Sequence, residues 1–150
     1  MAENQYVIFK LGNEEYGVDI MKVKEISEFK ESIKVPNAPY FVDGIINLRG
    51  EIIPIINLKK RFNIESQGIN SDTRIIVINI RNKNVGFVVD EASQVLRIDE
   101  KDIESAPDII VGVDRQYITG VGKIDDKIVI LLDLEKILSD EEKEKLEEMQ

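Results

Sequence analysis

VDGIINLRGEIIPIINL, residues Val42 to Leu58, places two apolar runs on either side of Arg49 and Gly50. Ile45, Ile46 and Leu48 before that hinge, and Ile52, Ile53, Ile55 and Ile56 after it, are almost all β-branched. Runs of this kind are the pattern of strands buried on both faces. Gly50 can take the positive φ that a two-residue turn needs, so the segment reads as a tight β-hairpin with Arg49 projecting from its tip. A guanidinium held on a stiff turn suits recognition and is a poor acid or base.

Working outward, the chain repeats itself in two blocks. Residues 7–26 lie over residues 76–95 without gaps, setting VIFKL over IVINI, the turn at Gly12 and Asn13 over Arg81 and Asn82, and Gly17 over Gly86. Residues 41–58 lie over residues 117–134, pairing Gly44 with Gly120, the Arg49-Gly50 turn with Asp125-Asp126, and Leu58 with Leu134. The order and spacing of both blocks repeat together, which points to an internal duplication with halves near residues 5–65 and 70–135. Strands are expected near residues 5–11, 15–20, 22–28, 42–48 and 51–57, and again near 73–80, 84–90, 92–98, 117–124 and 127–133. A unit of about 70 residues buries only about 60% of its unfolded surface and is marginal alone. The halves are therefore expected to fuse along a common core, with a groove at the seam.

Helical periodicity is confined to residues 134–149. Leu134, Ile137 and Leu138 can form one apolar stripe, and Ser139 with Glu142 spells a capping box. Pro54, inside a predicted strand, requires an edge or a position outside the ladder's hydrogen bonds. The class is all-β with a helical tail.

Composition excludes several functions. The 150 residues carry 29 acidic and 20 basic side chains, a net charge of −9, so the positive field that grips phosphate backbones is missing. Nucleic acid is not an expected partner, although small five-stranded barrels often bind single strands and an oligonucleotide-binding module is the corresponding alternative. Phe9, Phe41, Phe62 and Phe87 lie in or beside apolar runs and read as core, not as stacking platforms. With neither Cys nor His, the chain lacks a thiolate zinc site, a Cys nucleophile and the commonest general base. No apolar run of about 18 residues and no signal-peptide pattern is present, which sets the expectation of a cytoplasmic protein without membrane insertion.

The remaining candidates for chemistry have plainer readings. Gly120-Val121-Gly122-Lys123 fails as a phosphate loop, because Tyr117 stands where the first loop glycine belongs and Ile124 replaces the magnesium-holding Ser or Thr. Asp125 and Asp126 read as a hairpin turn and not as paired acids or a calcium loop. Neither a catalytic residue, a cofactor nor a metal is expected.

Four segments carry a resemblance to a known family: EEYGVDIMKVKEI at Glu14 to Ile26, GIINLRGEIIPIINL at Gly44 to Leu58, VGFVVDEASQVLRI at Val85 to Ile98, and YITGVGKIDDKIVILLDLEKIL at Tyr117 to Leu138. In this order they closely resemble the CheW family of bacterial chemotaxis coupling proteins, over almost the whole chain. The resemblance implies one CheW-like domain over residues 1–150, built of two small five-stranded SH3-like or OB-like barrels that share a core and can exchange strands. It implies a non-catalytic adaptor of two-component signalling, whose partners are the cytoplasmic tips of methyl-accepting chemotaxis receptors and the regulatory domain of the histidine kinase CheA. Gly44, Asn47, Arg49 and Gly50 match the family's coupling motif. Val23, Glu25 and Ile26 match a segment implicated in kinase or receptor contacts, and Val88, Val89, Val95 and Leu96 match strands that help line a groove for the receptor's helical hairpin. Ile109 and Ile110 match a region near a kinase contact. No receiver, phosphotransfer or ATP-binding segment is recognisable, so a stand-alone adaptor is expected, with the excised regulatory domain of a CheA kinase as the alternative.

Overall fold

The computed structural model describes residues 3–66, 68–105 and 115–149. Eleven strands are arranged in two sheets: β1 Glu3–Leu11, β2 Glu14–Asp19, β3 Val23–Glu28, β4 Val42–Leu48, β5 Glu51–Asn57, β6 Arg74–Ile80, β7 Lys83–Val89, β8 Glu91–Asp99, β9 Ile103–Glu104, β10 Ile118–Ile124 and β11 Lys127–Leu132. One helical turn, α1 Leu58–Arg61, follows β5, and a helix, α2 Asp140–Glu148, closes the described chain. The class is all-β with a small helix, and the ten expected strands are found within about two residues of their expected ends. Two elements escaped the sequence: β9 has two residues and α1 four, both too short to show a period.

The sheets do not follow the halves of the chain. One sheet has the order β8-β1-β2-β11-β10-β9 and the other β3-β6-β7-β5-β4. Each half therefore sends its first hairpin, β1-β2 or β6-β7, into the sheet formed by the later strands of the other half. Corresponding positions of the two halves pair alike. Val7 faces Val18 as Ile76 faces Phe87, and Gly17 lies beside Leu131 in a parallel pairing as Gly86 lies beside Ile55. Both glycines are there for close approach. A Cβ on Gly17 would meet Leu131 Cδ2 at 2.9 Å, and one on Gly86 would meet Ile55 Cδ1 and Ile75 Cγ2 at 2.8 Å.

Because side chains alternate across each strand, the exchanged hairpins are buried on both faces. On β1, Tyr6 and Ile8 join Ile98, Val129 and Leu131 inside the first sheet, while Val7, Phe9 and Leu11 enter a core shared by the two sheets. On β6, Ile75 and Val77 join Ile46, Leu48, Ile53 and Ile55 inside the second sheet, while Ile76, Ile78 and Ile80 face the shared core. Phe9, Phe41, Phe62 and Phe87 are all core residues. Burial pushes the Tyr16 hydroxyl above its usual pKa, with Glu14 adding to the shift, and its ring stacks on Phe9 with centroids 5.8 Å apart.

Each sheet is also tied across its ends. The chain leaving β3 runs on to Ile33, which exchanges two backbone hydrogen bonds of 2.9 Å with Ile45 on β4 at the far edge. In the other sheet the chain leaving β8 forms β9, where Glu104 pairs with Val121 on β10. Pro54 lies within a central strand, opposite Ile45 and one residue before β5 begins to pair with β7 at Ile55, so its missing N–H is not needed on that side. The tail is two pieces and not one helix. Leu134–Ile137 form a 3-10 turn capped by Asp133, and the Ser139 capping box then starts α2 afresh.

Candidate functional site

The β4-β5 turn is sharper than glycine alone explains. Arg49 has φ 51° and Gly50 φ 88°, so both turn residues are left-handed, the geometry that matches the twist of a two-residue hairpin. Arg49 is held in this conformation, unusual for a residue with a Cβ, by its neighbour: the Asn47 side-chain oxygen accepts from Gly50 N at 2.8 Å. Asn79 accepts from Asn82 N at 3.1 Å in the β6-β7 turn by the same device. Asn47→Ala is expected to cost about 1 kcal/mol, the net worth of such a bond, and a urea titration reads it directly.

Arg49 is not a free finger. Its Nη2 donates to Glu25 Oε1 on β3, joining the two outer strands of the sheet across its mouth. Both groups still face solvent, with side-chain exposures of 68% for Arg49 and 28% for Glu25. An ion pair so exposed contributes only about 0 to 1 kcal/mol. The contact therefore orients the guanidinium without committing it, and a partner carboxylate can share or replace Glu25 at little cost.

The other expected interaction residues divide by burial. Ile26 is 39% exposed and Val95 49%, and they are equivalent positions of the repeat. Ile26 is paired with Ile76 and Val95 with Val7, both residues of the shared core. Cross-strand partners share a face. Each sheet thus ends, on its inward face, in a half-uncovered aliphatic side chain at the seam. Ile52 adds a third, 40% exposed, opposite Asn47 beside the Arg49 turn. Val23 and Leu96 are partly buried against the shared core and the interior of the first sheet respectively. Val88 is 6% exposed and Val89 0%, so their side chains build the core and offer no surface. Gly44 is also buried, with φ 144° and Ile33 O lying 2.1 Å from where a Cβ would be. Its place in the motif is explained by that backbone crossing. Gly50 has nothing within 4 Å of such a Cβ and is there for its dihedral. Ile109 and Ile110 lie outside the described residues.

The seam itself is filled by the shared core, and the concavities are spread over the surface. One, of about 380 Å³, is lined by Asn4, Gln5, Asp19, Ile20, Met21 and Arg97, where the chain crosses from β2 to β3. Among the described residues no group of acidic side chains is arranged to hold a metal ion. Asp125, with φ 55°, forms the β10-β11 turn, and Gly120 sits where a Cβ would meet Ile103 Cγ2 at 2.6 Å, a packing role far from phosphate binding.

No pattern along the chain announces the ionic groups that hold the two sheets together. Lys59 on α1, 6% exposed, reaches Asp90 Oδ1 at 2.7 Å, and Asp90 Oδ2 accepts from Gly12 N at 2.7 Å. Asp90 stands at the corner where β7 passes to β8, so one carboxylate pins the crossover between sheets to a turn of each. The partners are distant in the chain, and no spacing rule could pair them.

Residues 5–142 match the family model of the CheW-like domain. The chain is 42% identical over 138 residues to the chemotaxis protein CheW of Klebsiella aerogenes, covering 92% of this chain and 83% of that one. It is 39% identical over 146 residues to the chemotaxis protein CheW of Treponema pallidum, covering 95% and 86%. The crystal structure of the scaffolding protein TtCheW from Thermoanaerobacter tengcongensis superposes with a TM-score of 0.85 at 39% identity, covering 95% of this chain and 92% of that one.

Proposed function

The chain belongs to the CheW family of chemotaxis adaptors, and from that premise we propose that it couples the cytoplasmic tips of methyl-accepting chemotaxis receptors to the regulatory domain of the histidine kinase CheA. The observation that carries this reading is Arg49, locked in a left-handed turn, oriented by Glu25 and still 68% exposed. Receptor tips are helical, and a helix can lay an apolar ridge along the seam margins where Ile26 and Val95 are half uncovered. Arg49 then supplies a charge-assisted hydrogen bond that fixes orientation. The adaptor works by holding partners and has no catalysis of its own. It is a cytoplasmic protein recruited to receptor arrays through these contacts, and among the described residues no helix is long and apolar enough to cross a membrane. The two sheets are read as two barrel subdomains that have exchanged their first hairpins. Both of these relatives are named chemotaxis protein CheW, which favours the adaptor reading over that of a kinase regulatory domain.

Arg49→Ala is expected to keep the fold, since the exposed pair contributes little, and to weaken ternary assembly by about 2 kcal/mol, roughly thirtyfold. Pull-down of CheA and a receptor signalling fragment, run beside thermal melting, tests this. Unchanged pull-down with unchanged melting rules out Arg49 as an interface residue.

A further inference from the structure

α2 is attached to the body of the protein mainly by charge. Of the side chains in Asp140–Glu148 only Leu146 is buried, 3% exposed, with Met149 partly buried just beyond. The other attachments are ion pairs: Arg61 to Glu142 at 3.4 Å, Arg81 to Asp140 at 2.8 Å and Arg81 to Glu147 at 3.7 Å. Asp140 is 84% exposed, and pairs of that kind weaken as salt screens them. The family match ends at residue 142, within the first turn of α2.

Beneath α2, Arg61 occupies a built seat. Its guanidinium carbon lies 4.7 Å from the Phe41 ring centroid and 5.9 Å from that of Tyr117. Its Nη2 donates to Ile137 O at 2.8 Å and to the Tyr117 hydroxyl at 3.0 Å. Nε is buried and has no hydrogen-bond partner among the described residues. Both contacts to Glu142 are 3.4 Å long, beyond the 2.7–2.9 Å typical of a guanidinium on a carboxylate. The carboxylate that α2 brings therefore underfills a site that could take a closer, two-point ligand, and a buried donor left without a partner is costly.

We propose that α2 is a displaceable strap, occupying as a self-ligand a docking site for a partner's acidic amphipathic helix that presents a carboxylate four residues before a leucine. Glu142 and Leu146 have that spacing, which puts both on one helix face, the first at Arg61 and the second in the shared core. Arg81 supplies the second cation at the rim. Opening of the strap uncovers the site, and the fraction of open molecules sets its apparent affinity.

Hydrogen exchange on the full chain is expected to show α2 amides exchanging at least about tenfold faster in about 1 M salt than in about 20 mM, with β6 amides unchanged. A labelled peptide of residues 139–149, stapled on its solvent face, serves as the ligand probe. It should bind a Glu142→Gln/Leu146→Ala variant at least about tenfold more tightly than the unmodified chain, and adding Arg61→Gln should abolish that gain. If Arg61→Gln does not fold, Arg81→Gln on the exposed turn takes its place. Salt-insensitive exchange of α2, equal binding to both proteins, binding indifferent to these arginines, or a concentration-dependent dimer with exchanged helices would each overturn the proposal.

Discussion

Gly44→Ala is expected to lower stability by about 3 to 5 kcal/mol, on the order of 10 °C in melting temperature for a chain of this size. Two independent effects combine. Gly44 has φ 144°, a conformation L-residues rarely adopt, and the added Cβ would sit 2.1 Å from Ile33 O and 2.7 Å from Ile33 C. The obstruction is backbone, not the tip of a flexible side chain, so relief requires the Ile33 to Ile45 bridge to open. Gly50→Ala is the control. It too has positive φ, but its Cβ meets nothing within 4 Å, so a cost of only about 1 to 2 kcal/mol is expected. Melting curves of the two variants measure the difference. If Gly44→Ala is as mild as Gly50→Ala, the end of the sheet is not closed as described.

The second large effect is expected at Asp90. Asp90→Ala leaves the Lys59 ammonium, 8% exposed as a side chain, without its carboxylate and leaves Gly12 N without its acceptor. Breaking a buried pair by removing one partner costs about 3 to 5 kcal/mol, because the remaining charge stays desolvated. Lys59→Met should cost far less, since the carboxylate left behind keeps the Gly12 bond and is 24% exposed to water. In the double variant the Asp90→Ala penalty should fall to the cost of the lost Gly12 bond, giving a coupling of more than about 1 kcal/mol in a denaturant double-mutant cycle. Additive effects would mean that the carboxylate acts on the crossover without the lysine.

Much of this was legible in the chain and some of it could not be. The hairpin at residues 42–58 was readable because β-branched runs flank a left-handed turn residue; burial on both faces holds for β5 from Ile53 to Ile56, whereas β4 alternates, with Val42, Ile46 and Leu48 buried and Asn47 exposed. The correspondence between the halves was readable because glycines recur in step, and Gly17 with Gly86 and Gly44 with Gly120 recur for one reason, close approach of a neighbour. Which sheet each hairpin enters was not readable. Turn residues fix the local pairing of β1 with β2 and of β6 with β7, but their parallel contacts with β11 and β5 arise only when the whole chain closes. The site divides the same way. Arg49 and Gly50 were found from one turn and Asn47 from the family resemblance, whereas the tether to Glu25 and the pinning of Asp90 by Lys59 join segments that meet only in the folded protein. Val88 and Val89 mark the opposite limit: apolar residues in a family motif can be there solely for the core, and only burial separates the two roles.

In the proposed function this chain brings receptor and kinase together on a stiff scaffold. Co-sedimentation of CheA with a receptor signalling fragment, scored by kinase activity, tests it most directly. CheA is expected to enter the pellet and become receptor-controlled only when the chain is added, and Arg49→Ala, still folded, is expected to lose most of both effects. Kinase recruitment and activity that are the same with and without the chain would contradict it.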